Sequence, residues 1–520
     1  MNKTLPKALA AVFLALLALL ILWPLLAATG LVGANGESYE NRRLATFPTQ
    51  IASLEDYVKW PRRVDDFLGD QLPNRGTLLG LNAWIRYHVF ATSPVDSVLV
   101  GRDGWLFHRM PADIQEAEGR LVRKPYQIRR LRIVLEERRD WLAEQGIDYL
   151  VLVAPTKQTV YPEKLPAWLK PVASGSSRRE LLIEALRRSG SDVALFDFTP
   201  ALRQARTKWG DALYYRQDTH WTYRGALEAY AALAAHAPEW FRAPARDWIE
   251  VETPRESNLM HLMGLAGQEI TGQPQPPGGF AARAHVLDTP LLKRMASRGV
   301  ALAYQRPDRR GPRLYLLGDS FAGWNTAYLA ENFSRTVVTN TWGDQWQRHE
   351  QFPTENILAE RPDLVIEQML ENRLDLGIPR ALLGDPASDN HPAEVRSARL
   401  RRLMHNAGEA PAEHRRVGDE IEIQKPPAAG RKARALIVRI GLDAPAPTQL
   451  ESVSPYPETA AWDDLCRRGG ELTRRAVGPG RSEVLLCVPV RPGSGAMRVR
   501  LDPASPARIL GVTVARHPDV

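Results

Sequence analysis

Two short segments carry residue types suited to acyl chemistry. Gly318-Asp319-Ser320-Phe321 follows the apolar run RLYLL and precedes a stretch of helical spacing. A serine at such a strand-to-helix turn sits at the carboxyl end of a sheet with Oγ exposed, and the helix N-terminus faces any oxyanion that forms there. Asp218-Thr219-His220-Trp221 supplies what a serine hydroxyl lacks, a histidine base with a carboxylate two residues away to orient its second ring nitrogen. Taken singly, each segment has a plain structural explanation: helix capping for Gly-Asp-Ser and a surface turn for Asp-x-His. His88, His108, His261 and His349 have no acid placed so closely. Asp319 is expected to shape its turn rather than react.

The elements that must position these segments read as α/β. DYLVLVA (148–154), VALFDF (193–198), RLYLLGDS (313–320), RTVVTN (335–340) and DLVIEQ (363–368) are short apolar runs, as expected of strands buried on both faces. Helical spacing falls over 126–145 and near 180–189, 223–236, 323–332 and 353–361, which predicts a mostly parallel sheet flanked by helices. VGRDGWLF at 100–107 reads as strand, turn and strand. The Pro/Gly-rich interval 237–312 reads as long loops over the sheet, and 391–412 as a linker. Residues 413–520 hold short strands punctuated by Pro and Gly, the pattern of a β-sandwich.

Composition and the N-terminus bound the class and the compartment. The 520 residues carry 68 Lys/Arg against 60 Asp/Glu, a net charge of +8, with 44% hydrophobic residues, so the chain is foldable and too long for one ordinary domain. Residues 8–28 are uncharged and apolar, and Lys3 and Lys7 precede them. A helix of about 20 residues crosses the hydrocarbon core, and the lysines hold its start in the cytoplasm. The run exceeds the roughly 7–15 residues of a signal-peptide core, which favours an uncleaved anchor over 1–30; a cleaved signal, with Ala27-Ala28 near Gly30 as room for the cut, is the rival, and both readings export the rest. Two cysteines exclude a disulfide-dense scaffold and a Cys-based zinc module. Cys466 and Cys487 are either paired or free, and the sequence leaves both open. Residues 396–520 hold 21 Lys/Arg and 14 Asp/Glu, so +7 of the charge sits there; export excludes nucleic acid as its partner.

Together the two segments resemble the Asp/His and Gly-Asp-Ser blocks of SGNH hydrolases, but the Asp/His block comes first, by about a hundred residues. That reversed order resembles the periplasmic alginate O-acetyltransferase group. Glu40-Asn41-Arg42, Gly101-Arg102-Asp103-Gly104-Trp105-Leu106-Phe107, Ala154-Pro155-Thr156-Lys157 with Tyr161-Pro162, and Arg361-Pro362-Asp363 agree with it across about residues 37–375. The resemblance implies an SGNH-like catalytic domain over 31–390 and acetyl transfer to a hydroxyl of an exported polysaccharide, without cofactor or metal. Ser320 would take the acetyl group, His220 would serve as base and acid, and Asp218 would orient His220. The backbone N–H of Ser320 and Asn340 would face the oxyanion. Trp221 and Lys157 are candidates for substrate contact, and Tyr456 and Trp462 for glycan contact in the β-domain. The implied partners are a membrane-bound O-acyltransferase as acetyl donor and the polysaccharide acceptor, at the periplasmic face of the inner membrane. An acetylesterase of the same fold and a non-catalytic glycan-binding protein are the competing readings.

Overall fold

The computed structural model describes residues 44–51, 53–71, 75–118, 125–169, 177–285, 301–308, 310–340, 352–376, 393–427, 435–453, 473–490, 495–502 and 505–517, with isolated positions elsewhere. The 8–28 run lies almost wholly outside the described residues, among which no helix is long and apolar enough to cross a membrane. Glu40-Asn41-Arg42 also falls outside them.

Two helices, α1 (Leu54–Asp70) and α2 (Arg75–His88), lead into a small hairpin of β1 (Val98–Val100) and β2 (Leu106–His108). Asp103 and Gly104 make its turn with φ 56° and 75°. The central sheet follows, with strands β3 (Asp148–Ala154), β4 (Ala194–Asp197), β7 (Arg283–His285), β8 (Ala301–Gln305), β9 (Arg313–Gly318), β10 (Arg335–Asn340) and β11 (Leu364–Leu370). Their order is β4-β3-β11-β9-β10-β8-β7. The first five are mutually parallel, and β8 and β7 extend the edge antiparallel.

Side chains alternate across each strand, which divides the apolar residues between two cores. Leu150, Leu152, Leu314, Leu316, Leu364 and Ile366 pack with helices α5 (Thr199–Trp209), α6 (Tyr223–His236) and α7 (Ala322–Ala330). Val151, Val153, Tyr315, Leu317 and Val365 pack on the other side with α3 (Pro125–Glu144), α4 (Arg178–Ser189) and α8 (Thr354–Glu360). Glu367 breaks the apolar run of β11 without cost to the pattern, because Arg138 of α3 and the Tyr149 hydroxyl both donate to it at 2.6 Å.

The interval 237–312 is not loop alone. Besides β7 and β8 it holds an antiparallel hairpin of β5 (Ile249–Glu256) and β6 (Gln268–Gln275). The polar composition that suggested loops reflects strands with little apolar burial. Nor is 391–412 a plain linker: α9 (Ala393–Ala407) occupies most of it. Leu400, Leu403 and Met404 enter the C-terminal core. Arg399 donates to Glu137 at 3.1 Å, and Asn406 to the Ser189 carbonyl at 3.1 Å, so α9 also grips α3 and the end of α4. After it come a four-stranded and a five-stranded antiparallel sheet whose inner faces share one core. Cys466 and Cys487, left open by the sequence, are disulfide-bonded and buried in that core.

Candidate active site

Ser320 stands where β9 ends, with β11 and β10 on either side of the strand. Gly318 is required by contact rather than by φ: a Cβ there would lie 2.2 Å from the Ala322 Cβ. The missing side chain lets α7 start directly against the strand end. Asp319 fixes the turn. Its Oδ1 accepts from the Phe321 N–H at 3.0 Å and its Oδ2 from the Leu370 N–H at 2.6 Å, which ties the serine turn to the end of β11. Burial pushes the Asp319 carboxyl above the usual range, and these two hydrogen bonds only partly offset it.

The Asp–His segment is a closed loop. Tyr214 and Trp221 pair as an isolated bridge, and the Tyr215 N–H donates to the His220 carbonyl at 3.2 Å. Inside the loop, the His220 Nδ1–H donates to Asp218 Oδ1 at 2.6 Å, and the His220 backbone N–H reaches the same oxygen at 3.0 Å. With that tautomer, Nε2 is free to accept, and the Ser320 hydroxyl lies 2.8 Å from it. Asp218 is fully buried. Burial pushes its carboxyl up, but the hydrogen bonds and charge of His220 outweigh that and hold it below the usual value. The acid is therefore ionised at neutral pH, the state that stabilises an imidazolium on His220.

The β5–β6 hairpin and the residues beside it brace this loop. The Asn258 backbone N–H donates to Asp218 Oδ2 at 3.2 Å. The Asn258 side chain accepts from the Thr219 N–H at 3.1 Å and donates to Thr219 Oγ1 at 2.8 Å. Glu269 takes the Arg216 and Gln217 N–H groups at 2.8 and 2.7 Å. Arg255 Nε is 3.8 Å from Asp218 Oδ2, with its guanidinium 4.9 Å from the Trp324 ring centre. Phe321 and Trp324 wall the imidazole at 5.0 and 5.6 Å. None of Asn258, Glu269, Arg255 and Trp324 was marked by the sequence. The first three lie in the interval read as loops, and Trp324 is one aromatic among many.

Two candidates for substrate contact take other places. Trp221 is 0% exposed, packs on Phe198 and Phe321, and donates from Nε1 to the Phe321 carbonyl at 3.2 Å. A ring so enclosed cannot stack on a sugar; it joins the histidine loop to the serine turn. Lys157 is 2% exposed, and its ammonium donates to the carbonyls of Tyr215, Arg216 and Asp218 at 2.9, 3.0 and 2.7 Å. All three N–H bonds are thus occupied, and the residue is an internal brace of the loop. Asn340 ends β10 in register with Gly318, one strand from the serine turn. Tyr456 and Trp462 lie outside the described residues. Among the described residues, no group of three or more His, Cys, Asp and Glu side chains gathers to hold a metal ion.

Known proteins similar to this chain fall in one group. A protein described as probable alginate O-acetylase AlgJ from Pseudomonas fluorescens is 28% identical over 179 residues, 34% of this chain and 42% of that protein. The protein of the same description from Azotobacter vinelandii is 26% identical over 238 residues, 45% of this chain and 53% of that one. The chain thus spans about half the length of the curated relatives it matches. The solved O-acetyltransferase domain of Pseudomonas putida AlgJ aligns over 54% of this chain and 92% of that domain at 18% identity, with a TM-score of 0.35. The family described as SGNH hydrolase-like domain, acetyltransferase AlgX matches residues 98–371, just over half of the sequence, and the chain belongs to that family of SGNH hydrolase-like acetyltransferases.

Proposed function

We propose that this protein is a polysaccharide O-acetyltransferase that works through an acetyl-serine. The observation that carries the reading is the unbroken hydrogen-bond line from Asp218 through His220 to the Ser320 hydroxyl, at 2.6 and 2.8 Å. Ser320 Oγ attacks the acetyl carbonyl of the donor as its proton passes to His220 Nε2, and Asp218 stabilises the imidazolium formed. The backbone N–H of Ser320 faces the oxyanion, with Asn340 of the neighbouring strand as the candidate second donor. Collapse of the tetrahedral intermediate releases the donor's leaving group, which takes the proton from His220. In the second half, His220 removes the proton of an acceptor hydroxyl, whose oxygen attacks the acetyl-serine carbonyl; the ester bond to Oγ then breaks, and His220 returns the proton to Ser320 Oγ. The acetyl group ends as an ester on the polymer.

The 8–28 run would anchor the protein to the inner membrane, with residues 31–390 as the catalytic region in the periplasm. There a membrane-bound O-acyltransferase would supply the acetyl group. A buried disulfide suits an oxidising compartment. The basic region 413–520, with Tyr456 and Trp462, would hold the glycan. The test is incubation of the protein with a chromogenic acetyl ester, with and without the host's own exported polysaccharide, followed by mass analysis of polymer and small products. Acetyl esters on the polymer, dependent on Ser320, support transfer. Free acetate in equal yield, whether or not polymer is present, would make the protein an esterase.

A further inference from the structure

Helix α2 is amphipathic in the reverse of the usual sense. Gly76, Gly80, Ala83 and Tyr87 recur at four- and three-residue spacing, and Ala83 is its buried residue, with Tyr87 packed against the small core of Val98, Leu106 and Leu259. Ala83 and Tyr87 thus face the protein, whereas Gly76 is exposed and a side chain at Gly80 would meet open space. Leu78, Leu81, Ile85 and Val89 recur at the same spacing on another face and are 47%, 54%, 37% and 60% exposed. Trp84 flanks that face at 51% and Phe90 follows at 66%. A water-facing helix of an ordinary domain places its leucines inward. A contiguous apolar stripe left outside marks an interaction surface.

The composition of the stripe and its place in the chain indicate what covers it. Residues 75–90 contain Arg75 and Arg86 and no acidic residue. Arg75 pairs with Asp70, whereas Arg86 is exposed at the rim beside Asn82. An apolar face with Trp at its edge, one exposed arginine at its rim and no carboxylate along the helix fits a helix lying in the headgroup region of an anionic bilayer. The apolar run 8–28 ends some 25 residues before α1 begins, a tether of about 85 Å at full extension. A segment so tethered sees its surface at about millimolar effective concentration, so even weak partitioning is realised. Leu54, Tyr57 and Val58 at the start of α1, nearest the tether, are 80%, 66% and 71% exposed.

We infer that α2 lies on the membrane surface, with Leu78, Leu81 and Ile85 immersed in anionic phospholipid, and so sets the catalytic region at a fixed distance from the bilayer. The inference rests on the reading of 8–28 as an anchor, and the test scores the two separately. Because the native cysteines are paired, single nitroxide labels can be placed by Leu78→Cys, Leu81→Cys and Ile85→Cys. Arg102→Cys, in the exposed hairpin turn, gives a water reference and Ala18→Cys reads the anchor. The full chain is placed in nanodiscs of phosphatidylethanolamine and phosphatidylglycerol, and collision with oxygen is compared with collision with a water-soluble nickel complex. The expected result is an oxygen-to-nickel ratio several-fold above that of Arg102→Cys at all three α2 positions, falling when the phosphatidylglycerol is removed. Ratios equal to that of Arg102→Cys, with Ala18→Cys in lipid, overturn the surface contact and leave the anchor. Labels at α2 shielded from both reagents overturn it in favour of a second copy of the chain. A water-like Ala18→Cys refutes the anchor, whatever α2 shows.

Discussion

Ser320 and His220 meet at 2.8 Å, yet the two segments that bring them together are held by different means. The serine turn is a product of topology: a central parallel strand, a helix that begins at once, and a glycine without which they collide. Its own polar fastening, Asp319, lies within the turn, and the Trp221 indole N–H adds one bond from the loop. The Asp–His loop lies between α5 and α6, outside the strands of the central sheet. It is filled by the Lys157 ammonium, bridged by Asn258 and Glu269, and closed by a backbone pair. One half of the site is thus fixed by packing and the other by polar contacts from distant parts of the chain.

The largest effects should fall where the halves meet. Ser320→Ala and His220→Ala should each remove nearly all acetylesterase activity, and the double variant should be little worse than either, because the residues act as a unit. Additive losses in steady-state rates would break that unit. Asp218→Asn should leave the fold intact and lower turnover by about 10⁴-fold, because the amide favours the wrong imidazole tautomer.

Next come changes that test each half by its own support. Gly318→Ala must part α7 from β9, and overpacking of this kind costs about 1–3 kcal/mol. It should lower stability and activity together. Lys157→Met should strip the ammonium from the Tyr215 and Asp218 carbonyls, while the Arg216 carbonyl keeps the Leu106 N–H, and cut turnover by about 10²-fold through misplacement of Asp218 and His220, with the Ser320 side of the site unmoved. Asn258→Ala keeps the backbone bond to Asp218 and loses only two neutral hydrogen bonds, each worth about 1 kcal/mol. A tenfold loss or less is expected, and a loss as large as that of Asp218→Asn would contradict the division drawn above.

Lys157 also gives the loop a pH signature. Burial pulls its ammonium down to about 7, whereas an unfolded lysine keeps its proton to about 10.4. Between these values the unfolded state holds more protons, so the lysine's contribution makes stability rise with pH across that window. Urea midpoints at pH 7 and pH 9 should differ less in Lys157→Met than in the parent. Asp218 acts at the other end. Its depressed pKa contributes stability above the unfolded value of about 3.9, which is lost as pH falls through the folded value. The smallest effect on catalysis should come from the C-terminal region. Removing the Cys466–Cys487 bond opens a loop of 21 residues, worth about 3 kcal/mol, and turnover on a small acetyl ester should not change.

The same division explains what could be read in advance. The five parallel strands and the helices between them are local in origin, since each is a short apolar run or a helical stripe, and the Gly-Asp-Ser turn follows from its neighbours. Asp218 and His220 could be paired because a carboxylate two residues from a histidine is a local pattern. The braces Asn258 and Glu269 are polar residues 38 and 49 positions beyond His220, in a hairpin whose weak apolar content gives no strand signal. Trp221 and Lys157 were noticed but read as substrate contacts, because a sequence does not show that an indole is enclosed or that an ammonium already has three acceptors. α9 was missed because Pro, Gly and Asn flank it and obscure its boundaries.

Ser320 is the proposed carrier of the acetyl group. Its most direct test is peptide mass analysis of the protein quenched within milliseconds of mixing with an acetyl ester, then again after addition of polysaccharide. The expected result is one acetyl group on the peptide that contains Ser320, absent from Ser320→Ala and His220→Ala, and discharged to the polymer when acceptor is added. Acetyl transfer that proceeds at the parent rate in folded Ser320→Ala would contradict it.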